Sequence, residues 1–221
     1  MTKIEPFERH TSRYDDWFTK HKFAYQSELE AVRHHLPPNE RGIEIGVGTA
    51  RFAAPLGIRF GLEPSAEMRK MAQRRGVEVV GGVAEAIPFG DSIFGFALMV
   101  TTICFVDDLE SSFREAYRIL KAGGCLIIGF IDRGSRIGQS YERHKEDDVF
   151  YREATFYSVA EVVSALNKAG FRDFTFSQTI FKNLSHVDRI EPVKSGYGEG
   201  SFVVIKAIKK LNHNELHIPA L

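Results

Sequence analysis

A glycine-containing turn at residues 44–51 holds the side chains with the clearest potential for chemistry. The segment reads EIGVGTAR, so Gly46 and Gly48 flank a single residue, Val47. Glycines at this spacing let the backbone turn tightly and approach a bound ligand. The segment lacks the dinucleotide signature G-x-G-x-x-G, because Arg51 occupies the third glycine position. A side chain there obstructs the close packing of helix against strand that the signature requires.

Glu44 indicates which kind of ligand this turn would take. It lies two residues before Gly46, at the end of an otherwise apolar run. A buried carboxylate needs a partner, because leaving its charge unpaired is costly. A pyrophosphate would repel it, whereas a ligand with an ammonium or sulfonium group would pair with it. The alternative is that the carboxylate accepts hydrogen bonds from amides of the turn itself.

A second carboxylate, Glu63, follows the next apolar run in the segment GLEPS. An acidic side chain after the second strand of an α/β sheet can accept both hydroxyls of a ribose. Pro64 and Met68 offer flat or polarizable apolar surface beside a base. Taken alone, residues 63–65 are also a good helix start. Combined with Glu44 and the glycines, they favour a nucleoside site.

Alternating strands and helices must position these groups. Apolar runs predict strands at 42–47, 58–62, 77–80, 94–101, 125–131, 171–181 and 201–208. Capping residues and apolar positions at helical spacing predict helices at 25–35, 65–76, 109–120 and 158–170. This order predicts one α/β domain with a mostly parallel sheet. Its ligand site is expected at the carboxyl ends of the strands.

Composition excludes several classes of function. Lysine plus arginine and aspartate plus glutamate each total 29, so the net charge of zero disfavours a polyanion binder. The two cysteines, Cys104 and Cys125, lie in apolar runs without a disulfide framework, which favours a reducing, cytoplasmic setting. No secretory signal or membrane-spanning run is visible, and no cluster of metal ligands predicts a metal site.

Several segments together resemble the class I S-adenosylmethionine-dependent methyltransferases, particularly their small type 11 branch. They occur in the order of that family's motifs over about residues 41–130. Each segment is a weak signal alone, whereas their joint occurrence is specific. The segments are EIGVGT at 44–49, GLEPS at 61–65, GVAEAIPF at 82–89, FGFALM at 94–99 and LKAGG at 120–124.

The resemblance implies an α/β, three-layer Rossmann-like methyltransferase fold. Its seven-stranded, mostly parallel sheet would have an antiparallel last strand. The implied cofactor is S-adenosylmethionine, and the implied cofactor-binding residues are Glu44, Gly46, Val47, Gly48, Glu63, Pro64, Met68, Ala84, Glu85, Met99 and Val100. The family often has aspartate at the position of Val83, where it bonds the adenine amino group. Here Glu85 or a backbone carbonyl would have to replace it.

The chain is expected to form one methyltransferase domain over residues 1–221. Residues 1–40 would be a helical lid and residues 41–131 the cofactor-binding half. Residues 132–221 would supply acceptor-side segments and the last two strands. The acceptor is predicted to contact Tyr14, Trp17, Thr101, Phe105 and Tyr197. The sequence identifies no catalytic base.

A small molecule is the predicted methyl acceptor. The run at 101–105, TTICF, lacks the (Asn/Asp)-Pro-Pro-(Tyr/Phe) sequence of many DNA N-methyltransferases. With neutral charge, neither DNA nor a membrane is an expected partner. One alternative is a cofactor-binding regulatory module without turnover, and another is methylation of RNA or protein. A nicotinamide-dependent reductase is disfavoured by Arg51. The sequence does not indicate the oligomeric state or the acceptor atom.

Overall fold

The computed structural model describes residues 3–210, in which a single twisted sheet forms the centre of the fold. Within these residues the sheet has eight strands in the order β3-β2-β1-β4-β5-β8-β6-β7. The first five strands run parallel to one another, and β8 lies antiparallel between β5 and β6. The strands are β1 Gly42–Ile45, β2 Phe60–Leu62, β3 Glu78–Val80, β4 Phe94–Val100, β5 Leu120–Ile131, β6 Phe171–Thr179, β7 Lys194–Ser195 and β8 Phe202–Lys209.

Helices cover both faces of the sheet and give it three layers. They are α1 Glu5–Arg9, α2 Thr11–Lys20, α3 Lys22–Arg33, α4 Ala66–Arg74, α5 Leu109–Ile119, α6 Arg136–His144 and α7 Val159–Lys168. Strand β4 shows the arrangement, because its side chains alternate between the two faces. Ala97 and Met99 join the core formed with α5 and α7, while Leu98 and Val100 join the core formed with α2 and α3.

Three helices begin at the residues that the sequence predicts. The hydroxyl of Ser65 accepts from the amide of Met68 and caps α4. Asp108 caps α5 through its carboxylate. Ser158 and Glu161 form a reciprocal capping box at the start of α7. The first two caps set where α4 and α5 begin after β2 and β4, and so fix the loops at the carboxyl edge of the sheet.

The predicted sheet of seven strands is one strand short. Lys194–Ser195 forms the additional strand β7, which pairs antiparallel with Ser177 and Gln178 of β6. Both of its residues are exposed, so no apolar pattern marks it in the sequence. The antiparallel last strand is confirmed, since β8 runs against β5 from residue 202 to residue 208.

Two further elements differ from the sequence prediction. Strand β5 begins directly after α5 at Leu120, but its pairing with β4 skips from Leu120 to Cys125, so the predicted glycine turn lies within β5 as an irregularity. A Cβ at Gly124 would lie 2.7 Å from the carbonyl oxygen of Gly95, which explains why glycine fits there. The polar stretch after β5 also contains helix α6, which the sequence analysis left unassigned.

Among the described residues, no helix has the length and apolar character needed to cross a membrane. The predicted domain also includes residues 1–2 and 211–221, which lie outside the described part.

Candidate active site

The glycine turn follows the end of β1 and lies beside the end of β2. Gly46 and Gly48 have φ angles of +71° and +53°, a region that favours glycine. A Cβ at Gly46 would lie 2.3 Å from Cγ2 of Thr102, which follows β4. Thr102 therefore leaves no room for a side chain at position 46. The amides of Gly46 and Val47 donate to the carbonyl oxygen of Leu62 at 2.8 and 3.0 Å. The turn is thus held between β2 and the end of β4.

Glu63 joins the glycine turn to the start of α4. Its Oε2 accepts from the amide of Gly48 at 2.9 Å, and its Oε1 accepts from the amide of Ser65 at 2.9 Å. Burial raises the pKa of Glu63, although both amides act in the opposite direction. Each carboxylate oxygen retains a further lone pair. Glu63 lines a cavity at the carboxyl ends of the strands, where those lone pairs can accept from a ligand.

This space, which we call the strand-end cavity, contains most of the predicted cofactor-binding residues. It also contains residues that the sequence analysis did not select as contacts, among them Lys3, Val106 and Asp107. Val83, where the family often has aspartate, lies on the lining and is 40% exposed. The predicted residues on the lining are Gly46, Gly48, Glu63, Pro64, Met68, Ala84, Glu85 and Val100.

The other predicted cofactor residues lie behind the lining of the strand-end cavity. Glu44 is 2% exposed, and burial raises its pKa well above the ordinary value despite a hydrogen bond from the amide of Ala53. Its Oε2 has no hydrogen-bond partner among the described residues. Val47 is buried over Gly61, and Met99 is fully buried in the core beneath the sheet. These three side chains support the site from within.

The N-terminal helix α1 covers the strand-end cavity. Lys3, Ile4 and Phe7 are part of the lining. The ammonium group of Lys3 donates to the carbonyl oxygen of Val106 at 2.8 Å and lies 3.7 Å from the carboxylate of Asp107. At the other end of α1, Glu8 accepts from the hydroxyl of Ser65. Residues 1–40, for which a helical lid is predicted, therefore include a helix that the sequence analysis did not single out.

An ion-pair network anchors α2 to the glycine turn. Asp15 accepts from the hydroxyl of Thr49 at 2.6 Å, from Nε of Arg51 at 2.9 Å and from Arg75 at 2.8 Å. Burial acts to raise the pKa of Asp15, but the hydrogen bonds from Arg51, Arg75 and Thr49 outweigh it and hold this pKa well below its usual range. Arg51, which breaks the dinucleotide signature, thus fixes the helix that carries Tyr14.

A second cavity of about 450 Å³ lies beside the first, beneath α2. Its walls come from side chains of α2, α3 and α6 and from the segment that follows α6. Four residues line both cavities: Phe7, Tyr14, Thr101 and Phe105. The predicted acceptor contacts Tyr14, Trp17, Thr101 and Phe105 all lie on the second cavity. Tyr197 lies on neither lining, because it is 55% exposed and packs against Phe176.

Thr101 stands at the junction of the two cavities in an unusual conformation. Its φ of +51° is rare for a β-branched residue, and such strain is concentrated at functional sites. The amide of Thr101 donates to the carbonyl oxygen of Gly129 at 2.8 Å, so β5 holds the residue in place. Above it, the ring of Phe7 lies 4.8 Å from that of Phe105 and 5.7 Å from that of Tyr14. The junction is therefore narrow and mostly apolar.

The tyrosines around the second cavity stay protonated at neutral pH. Burial raises the pKa of Tyr14, and the carboxylates of Glu63 and Glu44 raise it further. Burial likewise raises the pKa of Tyr141 and Tyr151. These phenols can donate hydrogen bonds to a ligand, but they do not serve as bases near pH 7.

Glu28 lines the second cavity and is marked in the sequence by its position on a helix, although it was not among the predicted site residues. It lies in α3 on the same helical face as Ala24, Ala31 and Val32, all of which are buried. A carboxylate on an otherwise apolar helical stripe is a visible signal, because such a stripe normally faces a core. Phe7 carried a similar signal, since it repeats with Tyr14 and Phe18 at helical spacing.

Comparisons with known proteins agree with this geometry. Residues 43–128 match a family model described as a methyltransferase domain. A crystal structure from Thermotoga maritima, described as a SAM-dependent methyltransferase and possible histamine N-methyltransferase (TM1293), has a TM-score of 0.92 and 55% identity, covering 94% of this chain and 100% of that one. The uncharacterized protein MJ1123 of Methanocaldococcus jannaschii is 45% identical over 203 residues, which are 92% of this chain and 98% of that protein.

A further relative is the uncharacterized protein Rv2003c of Mycobacterium tuberculosis. It is 39% identical over 207 residues, which cover 90% of this chain and 72% of that protein. The similarity to these proteins extends well beyond the motif region, and the fold carries a cavity at the expected edge of the sheet. The chain therefore belongs to the class I S-adenosylmethionine-dependent methyltransferases, with S-adenosylmethionine as its cofactor.

Proposed function

We propose that the protein transfers a methyl group to a small molecule held in the second cavity, from S-adenosylmethionine held in the strand-end cavity. The observation that carries this proposal is the shared wall formed by Phe7, Tyr14, Thr101 and Phe105. A ligand in one cavity meets a ligand in the other at that wall. The volume of about 450 Å³ is typical of a small-molecule site rather than of a polymer groove.

The residues of the strand-end cavity suit a nucleoside that carries a sulfonium ion. Glu63 is placed to accept from ribose hydroxyls, and Gly46 and Gly48 leave room for the amino-acid part. Lys3 is engaged by Val106 and Asp107, so the described part of the lining presents no free cation of the kind that a phosphate requires. Its acceptor-rich lining fits the cofactor.

The base of the nucleoside would lie beside Ala84 and Glu85. One oxygen of Glu85 already accepts from the amides of Asp107 and Asp108, so this carboxylate mainly orders the loop before α5. The carboxylate of Asp107 belongs to the same lining. We assign to Asp107 the bond to the adenine amino group that Val83 cannot make.

Catalysis would depend mainly on alignment. S-adenosylmethionine supplies, when bound, a methyl group that a nucleophile displaces in line, leaving S-adenosylhomocysteine. Thr101 and Tyr14 hold the acceptor atom at the junction, and Phe7 and Phe105 exclude water there. Alignment of this kind contributes up to about 7–11 kcal/mol in favourable cases. A proton released by the acceptor has an accessible partner in His21, because burial lowers the pKa of this ring and keeps it neutral near pH 7.

A transfer assay tests the proposal. The purified protein is incubated with S-adenosylmethionine labelled in its methyl group and with separate pools of small amines, phenols, RNA and protein. Histamine is the first single compound to assay, because the similar Thermotoga protein is described as a possible histamine N-methyltransferase. We expect label in a small product. Label only in RNA or protein, or cofactor binding without turnover of any pool, would contradict the proposal.

A further inference from the structure

Glu28 is a buried carboxylate that faces the second cavity without a protein partner. It lies in the middle of α3 and is 5% exposed. Its side chain belongs to the cavity lining. Among residues 3–210 its carboxylate has no hydrogen bond or ion pair. Burying a carboxylate without a partner is costly, so its presence on this wall requires an explanation.

Other buried acids of the protein show how this cost is normally met. Glu63 accepts from two backbone amides, and Asp15 accepts from two arginines and a threonine. Glu191 accepts from the amide of Phe181. Within the described residues Glu28 has no such protein partner, so the group available to its carboxylate is a ligand bound in the second cavity.

The surrounding walls favour a cation. The rings of Trp17, Phe18, Phe52 and Tyr141 line the same cavity, and aromatic faces attract cations. The basic side chains of the lining, Arg13 and Lys20, are exposed and belong to its mouth. A positively charged ligand group therefore finds its strongest attraction at the deep wall of α3.

We propose that the acceptor is a small molecule with a basic nitrogen, and that Glu28 binds this nitrogen as a protonated amine. The inference rests on the proposed function for the identity of the cavity as the acceptor site. Glu28 lines only the second cavity, whereas the residues at the junction line both. The nitrogen bound by Glu28 thus lies away from the atom that receives the methyl group, and the acceptor has two functional ends.

The protonation state of Glu28 gives the proposal a distinctive readout. Burial raises the pKa of this carboxyl to about 8, so the empty site is mostly uncharged at pH 7. Binding of an ammonium ion stabilises the carboxylate and releases its proton. Affinity for the amine should therefore rise about tenfold from pH 7 to pH 9, because above its pKa Glu28 is already ionised and binding no longer has to remove its proton.

Other titratable groups of the second cavity change little over this range. The ring of His21 is already neutral, because burial lowers its pKa, and the phenols of Tyr14, Tyr141 and Tyr151 have raised pKa values. An alkylammonium probe stays charged up to about pH 10. The remaining charged groups on the lining are Arg13, Asp16, Lys20 and Asp148.

The experiment measures binding to the full chain saturated with S-adenosylhomocysteine, by calorimetry at pH 7, 8 and 9. The probes are 2-phenylethylamine and its neutral counterpart 2-phenylethanol. The variant Glu28→Gln keeps the size of the side chain and removes the charge. Glu30→Gln is the matched control, because Glu30 lies on the same helix but is exposed and pairs with Arg33.

We expect Glu28→Gln to weaken binding of the amine at least tenfold and to abolish its pH dependence. Binding of the alcohol and of S-adenosylhomocysteine should stay unchanged, and Glu30→Gln should behave as the wild type. Equal affinity of the amine for wild type and Glu28→Gln would overturn the inference, even if the transfer assay finds a small-molecule acceptor. If the amine binds in a way that depends on Glu28 but the transfer assay detects no turnover, the proposed function is contradicted and the amine site stands.

Discussion

The two cavities are built from different parts of the chain. The strand-end cavity is shaped by backbone at the ends of β1, β2 and β4, where Gly46 and Gly48 have positive φ and Glu63 accepts from amides. The second cavity is shaped by side chains of helices, with Trp17 and Glu28 on α2 and α3. Backbone geometry fixes a shape that a constant ligand needs, whereas helical side chains are replaced without disturbing the sheet. On the proposed function, the first region determines the type of reaction and the second determines the acceptor.

Substitution of Gly46 should have the largest effect and should be confined to the strand-end cavity. A Cβ at this position would meet Thr102 at 2.3 Å, and the positive φ adds strain. We expect Gly46→Ala to weaken binding of S-adenosylhomocysteine more than a hundredfold in calorimetry. Gly57→Ala is the matched control, because Gly57 has φ of +73° with open space around its Cβ position. Equal binding by Gly46→Ala and the wild type would show that the turn does not shape the cofactor site.

Asp15 anchors α2, whose Tyr14 lines both cavities, to the glycine turn, so its substitution should affect both. We expect Asp15→Asn to lower the free energy of unfolding by about 2 kcal/mol at pH 7, because Arg51 and Arg75 lose their charged partner. The folded-state pKa of Asp15 is lowered, so its contribution is present above about pH 4 and is lost as the pH falls further. Urea unfolding at pH 7 and at pH 3 checks this, since the difference from wild type should shrink at pH 3.

The neighbouring residue provides the control for that measurement. Asp16 is exposed and forms no ion pair within the described residues. Asp16→Asn should therefore leave the free energy of unfolding nearly unchanged at both pH values. A loss of stability in Asp16→Asn as large as that in Asp15→Asn would indicate a general charge effect on α2 rather than the network.

Glu63 offers a sharper test of the strand-end cavity. Loss of its carboxylate removes a charge-assisted acceptor for the ribose, so Glu63→Ala should weaken S-adenosylhomocysteine binding by about 1–3 kcal/mol. The same change also frees the amides of Gly48 and Ser65, which lowers stability. Adenine-modified and 2′-deoxyribose analogues separate the two effects. The variant should lose its discrimination between ribose and 2′-deoxyribose, and retained discrimination would remove the assignment.

Trp17 should give the smallest effect, and only on the second cavity. We expect Trp17→Leu to weaken 2-phenylethylamine binding about three- to tenfold through lost aromatic contact, with S-adenosylhomocysteine affinity unchanged. Tyr197→Leu serves as an aromatic control, because Tyr197 lies on neither cavity. If Trp17→Leu lowered cofactor affinity to the same extent, the division between the two regions would not hold.

Most residues predicted to bind the cofactor line the strand-end cavity, because short-range physics determines where they lie. The spacing of the glycines, the carboxylate after β2 and the capping residue Ser65 all act within a few residues of one another. The prediction for Glu44 depended on where its side chain points. Alternation along β1 directs it to the layer that contains Ala53, so its oxygen is buried behind the turn.

The second cavity was only partly predictable, because it joins residues that are distant in sequence. Tyr14 on α2 and Thr101 after β4 line the same cavity, and Tyr141 joins this lining from the unassigned helix α6. Tyr197 carried the same aromatic signal as Tyr14 but packs on Phe176 outside the cavities. Aromatic content alone therefore did not separate a cavity wall from a surface contact. The short edge strand β7 was missed since exposed residues leave no hydropathy pattern.

Helix α1 has a consequence for how fast the enzyme can turn over. This five-residue helix covers the strand-end cavity and has no buried residue; polar contacts of Lys3 and Glu8 hold it, together with the ring of Phe7. A short element without buried residues opens at a lower free energy than the sheet, so we expect α1 to detach while the sheet stays intact. The residence time of spent cofactor is then governed by this small element, and its detachment sets an upper limit on the rate of product exchange.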